Sequence, residues 1–202
     1  MFQEQKAHST VLKGEEVGMA RVFVPYKRKQ KGRTDYKKRL KLVLSKKPRI
    51  VIRKSLKSMN VQLVQYTEKG DKVLLCASSH DIEKMGWKYR SNSIPACYLI
   101  GILFGKKMKQ AKQEDGVVDI WFYPSTKGSR LYGTIKGIID AGIEVNAKDV
   151  MFPRQERLEG KHIAAIAKKN PNNFSRYNKE NLKADDLPKQ VEALKKKILE
   201  NG

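Results

Sequence analysis

Residues Ile94–Met108 would form a helix that is apolar on nearly every side. A helix with no polar face has to lie between other elements, so this one belongs at the centre of a core. It is not a membrane span. The uninterrupted run, Ile94 to Gly105, reaches about half of the ~20 residues needed to cross a bilayer and contains Pro95, Tyr98 and Gly101. Gly101 and Gly105 share one side of it and leave room for another element to come close.

What could surround such a helix is legible on both sides of it. Arg49–Lys54, Met59–Tyr66 and Lys72–Ser78 are rich in β-branched residues and are separated by the turn-like Ser55–Ser58 and Thr67–Asp71. They read as an antiparallel meander of three strands. Gly116–Tyr123 reads as a central strand ended by Pro124. Leu131, Ile135, Ile138 and Ile139 recur at helical spacing, with Gly142 placed to end that helix. Three strands, a helix, a strand and a helix make a layered α/β sandwich with a mixed sheet. Beyond Phe152-Pro153 the chain turns helical and mixed in charge. It ends on a helix whose Leu187, Val191, Leu194 and Ile198 form a docking face.

Charge is distributed very unevenly. The 202 residues carry 43 Lys and Arg against 21 Asp and Glu, a net +22, which calls for a polyanionic partner. Arg21 to Lys57 holds 16 of the basic residues and one acid, Asp35. Charges this dense repel, so the segment is expected to be poorly ordered until a polyanion neutralises it. Within it, Tyr26–Gly32 reads as an extended arm. Thr34-Asp35 can cap a helix carrying Tyr36, Leu40, Val43 and Leu44 on a packing stripe, and Pro48 stops that helix. The boundaries that follow are a polar extension over 1–20, a basic arm and helix over 21–48, an α/β core over 49–152 and a helical extension over 153–202.

The N-terminal stretch has no apolar segment of the kind a secretory signal needs. Cys76 and Cys97 each sit in an apolar segment and read as two buried free thiols of a reducing, cytosolic compartment.

Catalytic patterns are missing where they would be expected. A metal-dependent nuclease needs converging carboxylates, and Asp119 is the one acid in the middle of an expected strand. Gly101–Met108 lacks the spacing and the hydroxyl of a phosphate loop. His80 and Cys76 have no second pair to complete a zinc site, and His8, His80 and His162 do not resemble parts of a triad. No enzyme activity, metal, cofactor or small-molecule substrate is expected.

The cationic residues suit RNA. Lys and Arg neutralise phosphates and release counterions, and exposed aromatic rings stack on unpaired bases. Tyr26 and Tyr36 are the first stacking candidates. Trp87, flanked by Lys88, Tyr89 and Arg90, makes a second aromatic–basic cluster. The loop Ser125–Arg130 is a third, with Lys127, Arg130 and a glycine, Gly128, that lets a phosphate approach the backbone.

The run VPYKRKQKGRTDYKKRLKLVLSKKPRIVIRKS resembles the opening of the archaeal and eukaryotic branch of the universal large-subunit ribosomal protein family L-eighteen. The basic cluster is Lys27–Lys31, followed by Gly32, Arg33, Thr34 and Tyr36, then Arg39-Leu40. GWKYRSNSIPACYLIGILFGKK, KGSRLYGTIKGIIDAGIEV and FPRQERLEGKHIA follow in the family's order. Lys31 stands where the family usually has an acid and Arg33 where it usually has a lysine. Both can still face phosphate.

The resemblance implies a three-layer α/β sandwich bound to 5S rRNA in the central protuberance of a cytoplasmic ribosome. There it would sit beside the L-five family protein and reach the large-subunit rRNA. It assigns RNA contact to Lys27, Arg28, Lys29, Arg33, Tyr36, Arg39, Arg49, Arg53 and Lys54, and also to Lys127 and Arg130. The alternative is a general structured-RNA-binding or RNA-chaperone module with no fixed address.

Overall fold

The structure, a computed structural model, describes residues 24–175, 177, 180 and 182–200. The expected polar extension over residues 1–20 lies outside them. The chain divides into two units, Met1–Arg33 and Thr34–Gly202.

In the first unit the basic arm is not fully extended. Lys27–Gln30 makes one helical turn, α1, with no buried residue. Gln30 Nε2 donates to Pro25 O at 2.9 Å and Arg33 N–H to Arg28 O at 2.8 Å, with Gly32 at φ +61° between them. One turn closed by its own backbone fans consecutive cations around its axis at about 100° intervals, where a strand would alternate them between two faces.

The second unit opens with α2 (Tyr36–Leu44), capped as expected by Asp35, whose carboxylate accepts from Lys37 N and Lys38 N at 3.0 and 3.1 Å. The three expected strands follow as β1 (Arg49–Lys54), β2 (Met59–Thr67) and β3 (Gly70–Ser78), paired antiparallel in sequence order. Ile50 faces Leu63 and Ile52 faces Val61 across β1 and β2, and Val61 faces Ala77 across β2 and β3. All five side chains are fully buried.

The short helix α3 (Ser79–Lys84) leads to the apolar helix, α4 (Ile94–Gln110), which packs on β2 and β3 and is buried at twelve of its residues. Its partner is α5 (Arg130–Asp140). The glycines decide how closely these two meet. A Cβ on Gly101 would lie 2.1 Å from Thr134 O, and one on Gly137 would lie 2.2 Å from Tyr98 O, so each helix presses backbone against backbone. α6 (Gln155–Glu159) and α7 (Lys161–Lys169) follow. α8 (Leu187–Glu200) then buries the expected stripe of Leu187, Val191, Leu194 and Ile198 against α4 and its neighbours. Lys106 Nζ donates to the Ile198 and Leu199 carbonyls at the end of α8, where a cation is favoured.

The segment expected as a central strand is a correction. Only Val117–Asp119 forms a strand, β4, and it lies at the sheet edge in the order β3-β2-β1-β4, parallel to β1. The chain leaves the sheet because Asp119 Oδ1 accepts from Trp121 N–H at 2.8 Å and Trp121 takes a left-handed φ of +58°. The sheet is mixed, as expected, and the architecture is an α/β sandwich with helices against the sheet. No helix among the described residues is long and apolar enough to cross a membrane.

Candidate nucleic-acid interface

The face of the sheet opposite α4 carries the odd-numbered residues of β1: Arg49, Val51 and Arg53. Their neighbours are Val64, Gln62 and Asn60 of β2. Burying arginine there is costly unless it meets carboxylates, and two arrive from distant parts of the sequence. Arg49, only 5 % exposed, lies 2.8 Å from Asp71 Oδ2 and 3.6 Å from Asp119 Oδ2. Arg53 lies 3.6 Å from the same Asp119 oxygen, donates to the Ile52 and Asp119 carbonyls, and sets its guanidinium 5.3 Å from the centre of the Trp121 ring. Lys54 sits over Tyr123 in the same manner at 4.8 Å, while Tyr123 Oη donates to Lys54 O.

These ion pairs also decide which side of α2 turns inward. Arg39 reaches Asp71 at 3.0 Å on β3, and Lys38 Nζ donates to Trp121 O at 2.7 Å just past β4. The two neighbouring cations thus contact opposite edges of the sheet. Most of the expected packing stripe faces the other way, with Tyr36, Leu40 and Leu44 exposed by 37, 59 and 69 % and Val43 alone half-buried. Lys37 and Lys41 stand exposed beside them. The open side of α2 is therefore an aromatic and aliphatic strip between lysines, a surface able to stack on bases and neutralise phosphates together. The expectation of poor order along the whole basic segment is corrected for the same reason: α2 and β1 form within it, and remote aspartates balance three of its arginines.

Among the other residues singled out from sequence, Tyr26, Lys27, Arg28, Lys29, Lys31 and Arg33 are all exposed in the first unit. In the second unit Lys88, Arg90 and Lys127 are exposed, and Arg130, partly buried, donates from Nη1 to Asn92 O at 3.2 Å.

Three are not surface groups. Trp87 is 4 % exposed, edge-on to Tyr89, which in turn meets Tyr177, so it belongs to the core and is not placed to stack on a base. Thr34 is 8 % exposed and Arg49 5 %, so neither presents an open side chain.

Sequence reasoning missed Asp71 and Asp119 as counter-ions, and it set Lys37 and Lys41 opposite the apolar stripe, whereas the structure exposes them together with it. An acid in a strand register next to arginines was the available signal. Asp119 is paired to two guanidinium groups and so is not poised for a metal, and the described residues contain no cluster of acids, histidines or cysteines that would hold one.

Two comparisons bear on this surface. The family model described as ribosomal large subunit proteins 60S L5 and 50S L18 matches residues 20–118. The large ribosomal subunit protein uL18 of Methanococcus maripaludis is 40 % identical over 187 residues, covering 89 % of this chain and 97 % of that relative. The chain belongs to the uL18 family and is a structural protein of the large ribosomal subunit rather than an enzyme, working in the cytoplasmic ribosome among rRNA and other ribosomal proteins.

Proposed function

We propose that within the large subunit this protein binds 5S rRNA and anchors it in the central protuberance, beside the L-five family protein and in reach of the large-subunit rRNA. The observation that carries the reading is the arm: Lys27, Arg28, Lys29, Lys31 and Arg33 follow one another with no acid among them and no buried side chain. A folded RNA offers phosphates at a density that matches such a run, and the counterions released on contact supply the affinity. The open strip of α2 adds Tyr36, Lys37 and Lys41, one ring beside two ammonium groups. Arg53 and Lys54 continue the basic surface on the sheet, with Arg49 beneath them as the buried tie to Asp71 and Asp119.

Lysine acetylation of the full chain, with and without 5S rRNA, tests this placement. Bound 5S rRNA is expected to protect Lys27, Lys29, Lys31, Lys37 and Lys41 and to leave Lys189 and Lys196 reactive. Protection confined to α8, or absent throughout, would overturn it.

A further inference from the structure

A cleft of about 610 Å³ opens where α4 and α5 begin, and three arginines line it: Arg90 from the loop before α4, Arg130 from the first turn of α5, and Arg157 from α6. No aspartate or glutamate is among its lining residues, and none of the three arginines has a carboxylate partner among the described residues. Nine other Lys and Arg residues among the described residues, Arg39, Arg49, Arg53 and Lys107 among them, do have one. Three guanidinium groups around one cleft repel one another unless an anion enters between them.

Polar groups inside the cleft refine what that anion is. Ser129 stands at the N-cap position of α5, yet its hydroxyl caps no amide. Its Oγ is shielded from solvent without a hydrogen-bond partner, so the first turn of α5 and that hydroxyl both remain as donors. Arg157 lies beside the same loop, with Nη1 3.5 Å from where a side chain on Gly128 would begin. Asn92, 4 % exposed, donates from Nδ2 to the Ser55 and Leu56 carbonyls, which fixes its amide and leaves Oδ1 as a buried acceptor with no partner. His162 completes the wall. Burial lowers its pKa, the Glu156 backbone works against that, and Arg157 lowers it further, so the surroundings disfavour a fourth positive charge.

A phosphodiester group by itself only accepts, and would leave the Asn92 acceptor without a partner. RNA backbone carries both a phosphate and a hydroxyl donor, the ribose 2′-OH, on each unit. We infer that this cleft is a seat for one ribose-phosphate unit of rRNA, separate from the basic arm. Arg90, Arg130, Arg157 and Ser129 hold the phosphate there, and Asn92 accepts from the 2′-hydroxyl. The seat takes from the family assignment only that rRNA is the partner and does not depend on which rRNA fills it.

Arginine modification by phenylglyoxal, read residue by residue on the full chain by mass spectrometry, tests the seat with 5S rRNA, with large-subunit rRNA and with inorganic phosphate at equal phosphate concentration. Either RNA is expected to protect Arg90 and Arg157, and inorganic phosphate to leave them reactive. Protection by large-subunit rRNA alone would still support the seat while removing 5S rRNA as its occupant. Unprotected Arg90 and Arg157 under both RNAs, with Arg28 and Arg33 protected, would overturn it. Equal protection by inorganic phosphate would overturn the ribose-phosphate assignment. In parallel, Arg157→Gln is expected to weaken binding to the protecting RNA about tenfold and to flatten its salt slope by about one. The exposed Lys196→Gln should leave both unchanged. An Arg157→Gln protein that binds like the parent at every salt concentration would also contradict the seat.

Discussion

Asp119 Oδ2 lies 3.6 Å from a guanidinium nitrogen of Arg49 on the adjacent, parallel strand, and both residues are less than a tenth exposed. This contact couples the sheet edge to the basic surface, because the same oxygen is 3.6 Å from Arg53. Removing one member of a buried pair leaves a charge uncompensated, which is far more costly than never having buried the pair. Asp119→Asn is therefore expected to lower stability by about 3 kcal/mol in urea unfolding. A loss under about 0.5 kcal/mol, the range of an ordinary surface substitution, would mean that Asp71 alone suffices for Arg49.

The contact between α4 and α5 gives a second expectation. Gly101→Ala places a methyl group 2.1 Å from a backbone oxygen that has no freedom to rotate away. A cost of about 3 kcal/mol follows from forcing the two helices apart, measured by thermal or urea unfolding. A fully stable Gly101→Ala protein would show that α5 is not held at this distance.

The two cysteines differ sharply. Cys97 is buried in α4, and burial pushes its thiol up to about 12, whereas Cys76 is exposed on β3. The thiolate is the reactive form. A thiol reagent at pH 8 is expected to modify one group quickly in the native protein and the second only after denaturant. Two fast thiols in the folded protein would contradict the burial of α4.

Much of this architecture was readable in advance, and the failures share a cause. β1, β2, β3, α4, α5 and the stripe of α8 announce themselves by local periodicity, and each falls within a few residues of where its pattern ends. The inward face of α2 was misread because partners 32 and 83 residues away in sequence, Asp71 and the Trp121 carbonyl, select Arg39 and Lys38 over Tyr36 and Leu40. Gly116–Tyr123 was read as a long central strand because its apolar run hides the turn that Asp119 imposes on Trp121. Its basic neighbours make Trp87 read as a surface ring, yet it is buried edge-on to Tyr89, which itself packs on the distant Tyr177. The arm was legible from charge alone. The cleft was only half legible, since nothing local brings Arg157 to the loop of Gly128.

These long-range pairs also change how the arm should be tested. Sequence alone suggests replacing Arg33 and Arg39 together to weaken RNA binding without disturbing the core. Arg39, however, is ion-paired with the aspartate that also serves Arg49. A cleaner variant is the triple Lys27→Gln, Lys29→Gln, Lys31→Gln, whose side chains are all exposed. It is expected to keep the parental melting temperature and to flatten the slope of log affinity against log salt by about two. An unchanged slope would remove the arm from the interface.

The claim at the centre of this account is that the protein recognises 5S rRNA and not merely polyanions. A filter-binding titration of the full chain against 5S rRNA at moderate salt, with bulk tRNA as competitor, measures that directly. The expected result is tight, roughly nanomolar binding, in the range of specific nucleic-acid complexes, that excess tRNA fails to displace. Equal affinity for 5S rRNA and tRNA, with the same salt slope for both, would contradict it and leave a ribosomal protein whose basic surface serves another rRNA.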